Sequence, residues 1–121
     1  MAWEDVGNVA SFPAGATVTR LRGVKISGAD NTVIPVAATT DIPIGVAKEG
    51  ASTGGAVPVQ IDGITRMEAG AAVTRGGQVM CDTVGRVIDA TSTNVVIGTS
   101  LEAAAAAGVI ISVSLNAKTI F

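Results

Sequence analysis

The chain has 121 residues, enough for a single domain with an apolar core of its own and no disulfide staples. Eight basic against ten acidic residues leave a net charge of -2, with no histidine and one cysteine, Cys81. That excludes a basic footprint for nucleic acid or anionic membrane, every histidine-dependent catalytic or metal site, internal disulfides and thiolate zinc sites.

Residues 1–13, MAWEDVGNVASFP, read as an N-terminal arm joined to the rest at Pro13 and Gly15. The stretch is acidic where a secretory leader is basic and apolar, and no apolar run approaches the roughly 20 residues of a membrane span. A product made in the cytoplasm is the expectation. The arm carries two of the three aromatics, Trp3 and Phe12, and an isolated arm cannot bury a tryptophan against itself. Trp3, Val6, Val9 and Phe12 are therefore the candidate contact residues, on an arm expected to reach across a subunit boundary and add a strand to a neighbour's exposed edge, the alternative being a first strand folded onto its own domain.

From residue 14 the chain repeats itself. AGATVTR (14–20) matches AGAAVTR (69–75) at six of seven positions. GVKISGADNTVI (23–34) matches GQVMCDTVGRVI (77–88), and IGVAKEGAS (44–52) matches IGTSLEAAA (97–105). Each is followed by an alternating segment, VPVQI (57–61) and ISVSL (111–115). Four matches in one order define two copies, 14–63 and 69–116, within one domain at 14–121, with 64–68 as linker. Two copies are too few for a solenoid, so the expectation is two halves related by a pseudo-twofold.

Each copy reads as four short β segments; in the second these are 71–75, 78–82 with 86–90, 95–101 and 109–116. Thr83, Val84 and Gly85 form a tight turn whose partner is residues 28–31. Val and Ile number 28 against three Leu, as suits pleated strands rather than helices. The run EAAAAA (102–107) is helical by propensity, but its counterpart EGASTG (49–54) is not, so 102–108 is assigned to a loop with at most one helical turn; a close-packing contact face is the lesser reading of its alanines. The fold class is all-β, a small barrel or sandwich of the β-tulip type built from two pseudo-repeats.

No constellation for chemistry emerges. Cys81 lacks an activating base and reads as a buried strand residue, with Ser27 as its repeat counterpart. Arg20 and Arg75, which end the two VTR motifs, could clamp a carboxylate but are expected to pair with the recurring Glu49 and Glu102. Glu4 with Asp5, and Asp62 with Glu68, are solvated carboxylates without the spacing of an acid–base pair. Gly54-Gly55 and Gly76-Gly77 precede no helix and belong to no phosphate loop. No catalytic residue, cofactor site or metal site is assigned.

The order AG-x-x-VTRG, V-x-D-x-x-G-[KR]-V, IG-x-[AS]-LEAAAAAG and V-x-V-x-L resembles a family of tailed-phage capsid decoration proteins. These are also called cement or head-stabilising proteins, and some carry an older label as phage recombinases. The residues are Ala69-Gly70, Val73 to Gly76, 82–87, Ile97-Gly98, 101–108 and 113–115, and the resemblance covers 14–116. In the first half Leu21 and Arg22 intervene before Gly23, and Lys48 stands in place of leucine, so the resemblance assigns no contact residue. It implies a structural virion protein, not an enzyme, that binds the outside of a mature head and cements neighbouring major capsid subunits as a homotrimer. The recombinase label has no support without a phosphate-binding loop. The competing expectation is a carbohydrate- or ligand-binding β-domain, which one tryptophan and no tyrosine serve poorly.

Overall fold

Strand β1 (Asp5–Val6) and strand β2 (Val9–Pro13) begin a chain that runs through nine more: β3 (Gly23–Ile26), β4 (Val33–Pro35), β5 (Gly45–Ala47), β6 (Ala56–Gln60), β7 (Gly63–Glu68), β8 (Gln78–Cys81), β9 (Val87–Asp89), β10 (Gly98–Ser100) and β11 (Ile110–Ser114). The computed structural model describes residues 5–91 and 95–115, with only the backbone of Asp5 and Val6. Among the described residues there is no helix. The strands form a five-stranded sheet, β2-β6-β5-β3-β4, and a six-stranded one, β1-β7-β11-β10-β8-β9, with antiparallel neighbours throughout. Neither closes into a barrel, so of the two expected architectures the sandwich is the one found.

Without β1 the two sheets have the same order. β2 corresponds to β7, β6 to β11, β5 to β10, β3 to β8 and β4 to β9. The duplication is thus longer than the sequence match. Residues 64–68, expected as a linker, are the body of β7, and their equivalent VASFP is β2, inside the stretch expected as an arm. VASFP and ITRME share no residue, which is why identity does not reveal them. Residues 9–13 pair with β6 of their own chain at every position from Val9↔Gln60 to Pro13↔Ala56, so this part of the arm is an edge strand of its own sheet. Register corrects one further pairing: Ile26 lies opposite Val33 as Cys81 lies opposite Val87, so the counterpart of Cys81 is Ile26 rather than Ser27. Of 71–75, expected as a strand, Val73 alone bridges to Ala104, just as Val18 bridges to Ala51. The alanine run is a loop, as its counterpart implied.

The core is duplicated too. Ala14, Val18, Val24, Val33, Val57 and Val59 pack together in the first half, with Phe12, Ile44 and Ala51 against them. Their equivalents Ala69, Val73, Val79, Val87, Ile111, Val113, Met67, Ile97 and Ala104 form the second core, which Val36 and Val46 of the first half also enter. The matched glycines of IG-x-[AS] have a shared cause. A Cβ on Gly45 would meet the Gln60 carbonyl, and one on Gly98 the Ser114 carbonyl, so the strand crossing needs bare backbone at both places.

The halves are joined by one bent ladder. Residues 5–13 pair with 56–64 in a single register, the outer part in one sheet and the inner part in the other. At the bend the Ile61 N–H donates to the Asn8 carbonyl at 2.9 Å, and Asp62 accepts the Asn8 amide at 2.6 Å and its Nδ2 at 2.9 Å. Gln60, fully buried, donates from Nε2 to the Asp62 and Ile64 carbonyls at 2.9 and 3.1 Å and accepts from Lys48 Nζ at 3.1 Å.

A second junction runs in one direction only. Residues 21–23 of the first half lie between β7 and the β8–β9 turn of the second. Leu21 accepts from the Glu68 N–H at 3.1 Å, Arg22 Nε donates to Glu68 Oε1 at 3.0 Å, and the Gly23 N–H donates to the Gly85 carbonyl at 2.8 Å. Among the described residues the backbone bonds of Gly76, Gly77 and Gln78, their equivalents, stay within the second half. The halves therefore meet head to tail, not about a twofold. Leu21 holds a left-handed φ of 62° where its equivalent is Gly76 at 78°, and its side chain is buried. Gln60→Leu should test the bend: leaving two carbonyls unpaired at a buried corner is expected to cost about 2–4 kcal/mol in urea unfolding.

Candidate contact surface

The arm residues separate by environment. Phe12 is half-buried against the first core, at the position that Met67 fills in the second. Val9 is 43% exposed at the sheet edge. Val6 sits in β1 opposite Gly63, without a described side chain, and Trp3 lies outside the described residues. A chain starting at Ala14 would lack β1, β2 and the Phe12 contact. Phe12→Ala is expected to cost about 2 kcal/mol of stability, and Val9→Ser within about 0.5 kcal/mol of none, by urea unfolding.

Cys81 is 3% exposed, and burial, with the neighbouring Asp82 carboxylate adding to it, pushes its thiol up to about 12. A group so rarely ionised near neutral pH is no nucleophile. It should stay unreactive toward an aromatic disulfide reagent at pH 8 and react stoichiometrically in denaturing urea; fast reaction in the folded state would contradict this burial.

The expected arginine pairing is not found. Among the described residues no ion pair joins Arg20 to Glu49 or Arg75 to Glu102, and both arginines are exposed. The two glutamates have different fates for a simple reason. Glu102 Oε1 accepts the Ser112 N–H at 2.8 Å, whereas the position equivalent to Ser112 is Pro58, which has no N–H, and Glu49 is exposed.

A cleft of about 260 Å3 lies where the halves meet, walled by Val18, Val24, Pro35, Val36 and Val84 with Arg22 as its one charged group. The Arg22 guanidinium is engaged by Glu68, so the cleft lacks convergent polar groups for substrate chemistry. Ile42, 71% exposed, stands on a loop held by Asp41, which accepts the Ala37 and Ala38 amides at 2.9 and 3.0 Å and pairs with Lys25 at 2.9 Å. The Lys25 hydrogen bond, then the Ala37 amide, holds the Asp41 carboxyl below its ordinary value.

A further apolar surface lies at the β10–β11 connection. Leu101, Val109 and Ile110 are 40, 39 and 37% exposed, with Ala103, Ala105, Ala106 and Ala107 exposed between them. Ala104 is buried and holds the loop down by its bridge to Val73. The sequence reading assigned the alanines to a loop, with a close-packing contact face as the lesser alternative. The sharper signal was available by setting the repeats side by side at exposed positions, where KEGASTGGA (48–56) faces LEAAAAAGVI (101–110).

The phage cement protein family matches residues 5–115, and the chain belongs to that family. No curated protein matches it. Among solved structures, the N base of the head fiber gp8.5 of bacteriophage phi29 is similar, with a TM-score of 0.72 and 19% identity over 94% of this chain and 98% of that one. At that identity the likeness is one of fold.

Proposed function

We propose that this chain is a structural virion protein that binds the outer surface of a mature phage head and ties neighbouring major capsid subunits together. The observation that carries the reading is that the phage cement match spans 5–115, the whole of both halves. The fold likeness to a phage head fiber base supports it, and so do the exposed apolar side chains Leu101, Val109 and Ile110. Cementing needs no catalytic group: a clamp that binds the closed shell but not its separated parts stabilises the shell by mass action, and many copies add. Three-fold positions on an icosahedral shell suit a homotrimer. The protein is made in the host cytoplasm and acts on the capsid exterior, with no enzymatic step.

Mixing the protein with expanded, undecorated heads and imaging them by cryo-electron microscopy tests this. Added density at three-fold and quasi-three-fold positions, with a higher temperature of DNA release, is the expected result. Bare heads would refute the reading, and single copies confined to hexamer centres would refute its trimeric part.

A further inference from the structure

Arg20 and Arg75 close the two best-matched segments of the chain, AGATVTR and AGAAVTR. Most of what matches there answers to packing. Ala14 with Ala69 and Val18 with Val73 are buried. Thr74 bonds Asp89 through its N–H and its hydroxyl, at 2.9 and 3.0 Å, and Thr19 lines the cleft between the halves. The arginines are the exception. Both are exposed, and among the described residues neither side chain has a hydrogen bond or an ion pair. The other cations of the described residues are all engaged, Arg22 by Glu68, Lys25 by Asp41, Arg86 by Asp82 and Lys48 by Gln60 among them.

Elsewhere, exposed positions have drifted apart between the halves: Thr17 stands where Ala72 does, Gly50 where Ala103 does and Ala56 where Ile110 does. A matched exposed residue therefore needs a cause. Gly54 with Gly108 has one in the left-handed φ of 88° and 91°. Folding supplies none for the arginines, yet each sits on backbone pinned at both sides. The Val18 N–H donates to the Ala51 carbonyl and the Leu21 N–H to the Ala47 carbonyl, each at 2.8 Å. The Val73 N–H donates to the Ala104 carbonyl at 2.9 Å and the Gly76 N–H to the Ser100 carbonyl at 3.0 Å. A cation shown twice in the same frame, and left free in both, serves something outside the chain.

We propose that Arg20 and Arg75 are equivalent carboxylate-binding contacts, one on each half, through which this chain grips acidic side chains of neighbouring major capsid subunits. The inference rests on the cement reading and names groups that reading would use. A guanidinium presents a planar fork of N–H donors that fits a carboxylate through two parallel bonds. Phosphate fits the fork too, but a chain with ten acidic residues and a net charge of -2 repels a polyanion such as nucleic acid. A second copy of the chain is a poor partner as well. The acidic residue that recurs in both copies is Glu49 with Glu102, and Glu102 is turned onto the Ser112 amide, so a copy does not offer the same free carboxylate twice. A shell does, because it shows one surface on subunit after subunit. Once one arginine is bound, the second meets its carboxylate intramolecularly, and two exposed contacts that are individually weak become a lasting tie.

The test compares the native chain with Arg20→Gln, Arg75→Gln, the two together, and Arg20→Lys with Arg75→Lys. Binding to expanded, undecorated heads is read by co-sedimentation, and urea midpoints check folding. Each single Gln variant should bind heads about tenfold more weakly and the double variant more weakly still. Their urea midpoints should match the native one, as suits exposed side chains without partners. The double Lys variant keeps both charges and loses the fork, so it should recover part of the affinity only. Added salt should weaken the native chain's binding more steeply than that of the double Gln variant. Heads whose surface carboxylates have been amidated should no longer capture the native chain. A folded double Gln variant that decorates heads like the native chain overturns the proposal and leaves the cement reading intact, and so does undiminished binding to amidated heads. A native chain that leaves untreated heads bare overturns both.

Discussion

The structure depends on one bent ladder. Residues 5–13 and 56–64 begin paired in one sheet and end paired in the other, so the first and last strands of the first half are also the hinge to the second. A bend in a ladder exposes backbone groups, and here they are not left to water. Gln60 supplies donors to two carbonyls, Asp62 takes both donors of Asn8, and Gly7 leaves room for the Asp62 carboxylate. With the bend closed, Val36 and Val46 of the first half can join the second core.

The two halves are equal in fold and unequal in use. Half one inserts residues 21–23 into the seam beside β7, and the corresponding seam beside β2 is chemically different. Glu68, which donates its N–H there, is matched by Pro13, which has none, and Gly85 is matched by Asn31. Residues Gly76, Gly77 and Gln78 replace Leu21, Arg22 and Gly23, so the inserting segment changes as well. A head-to-tail contact could otherwise continue from molecule to molecule; proline at the open edge is a recognised way of blunting it. Leu21 and Arg22, which interrupt the repeat pattern of the first half, thus lie where the halves touch.

The same comparison separates function from folding. Matched residues, such as Gly45 with Gly98 or Val33 with Val87, answer to strand crossing and core packing. Mismatched exposed residues answer to what each half meets. By this measure the second half carries the more apolar exposed loop, while Cys81, whose thiol is buried, belongs to packing.

The sequence by itself determined the class of the fold and the duplication. Excess Val and Ile, period-2 segments and paired motifs are local properties, and they sufficed to assign β structure, to deny a helix to the alanine run and to place the turn at Thr83, Val84 and Gly85. The phage decoration resemblance was legible from motif order alone. Tertiary structure decided the rest. VASFP and ITRME are the same strand in the two halves without one residue in common, because a strand's place is set by its burial pattern and its partner's register rather than by particular side chains. Phe12 was an apparent anchor on a free arm and is a half-buried side chain against a core. The head-to-tail relation of the halves could not be read either, since it arises from which backbone groups the bent ladder leaves open, and those are set by distant pairing rather than by any neighbouring residue.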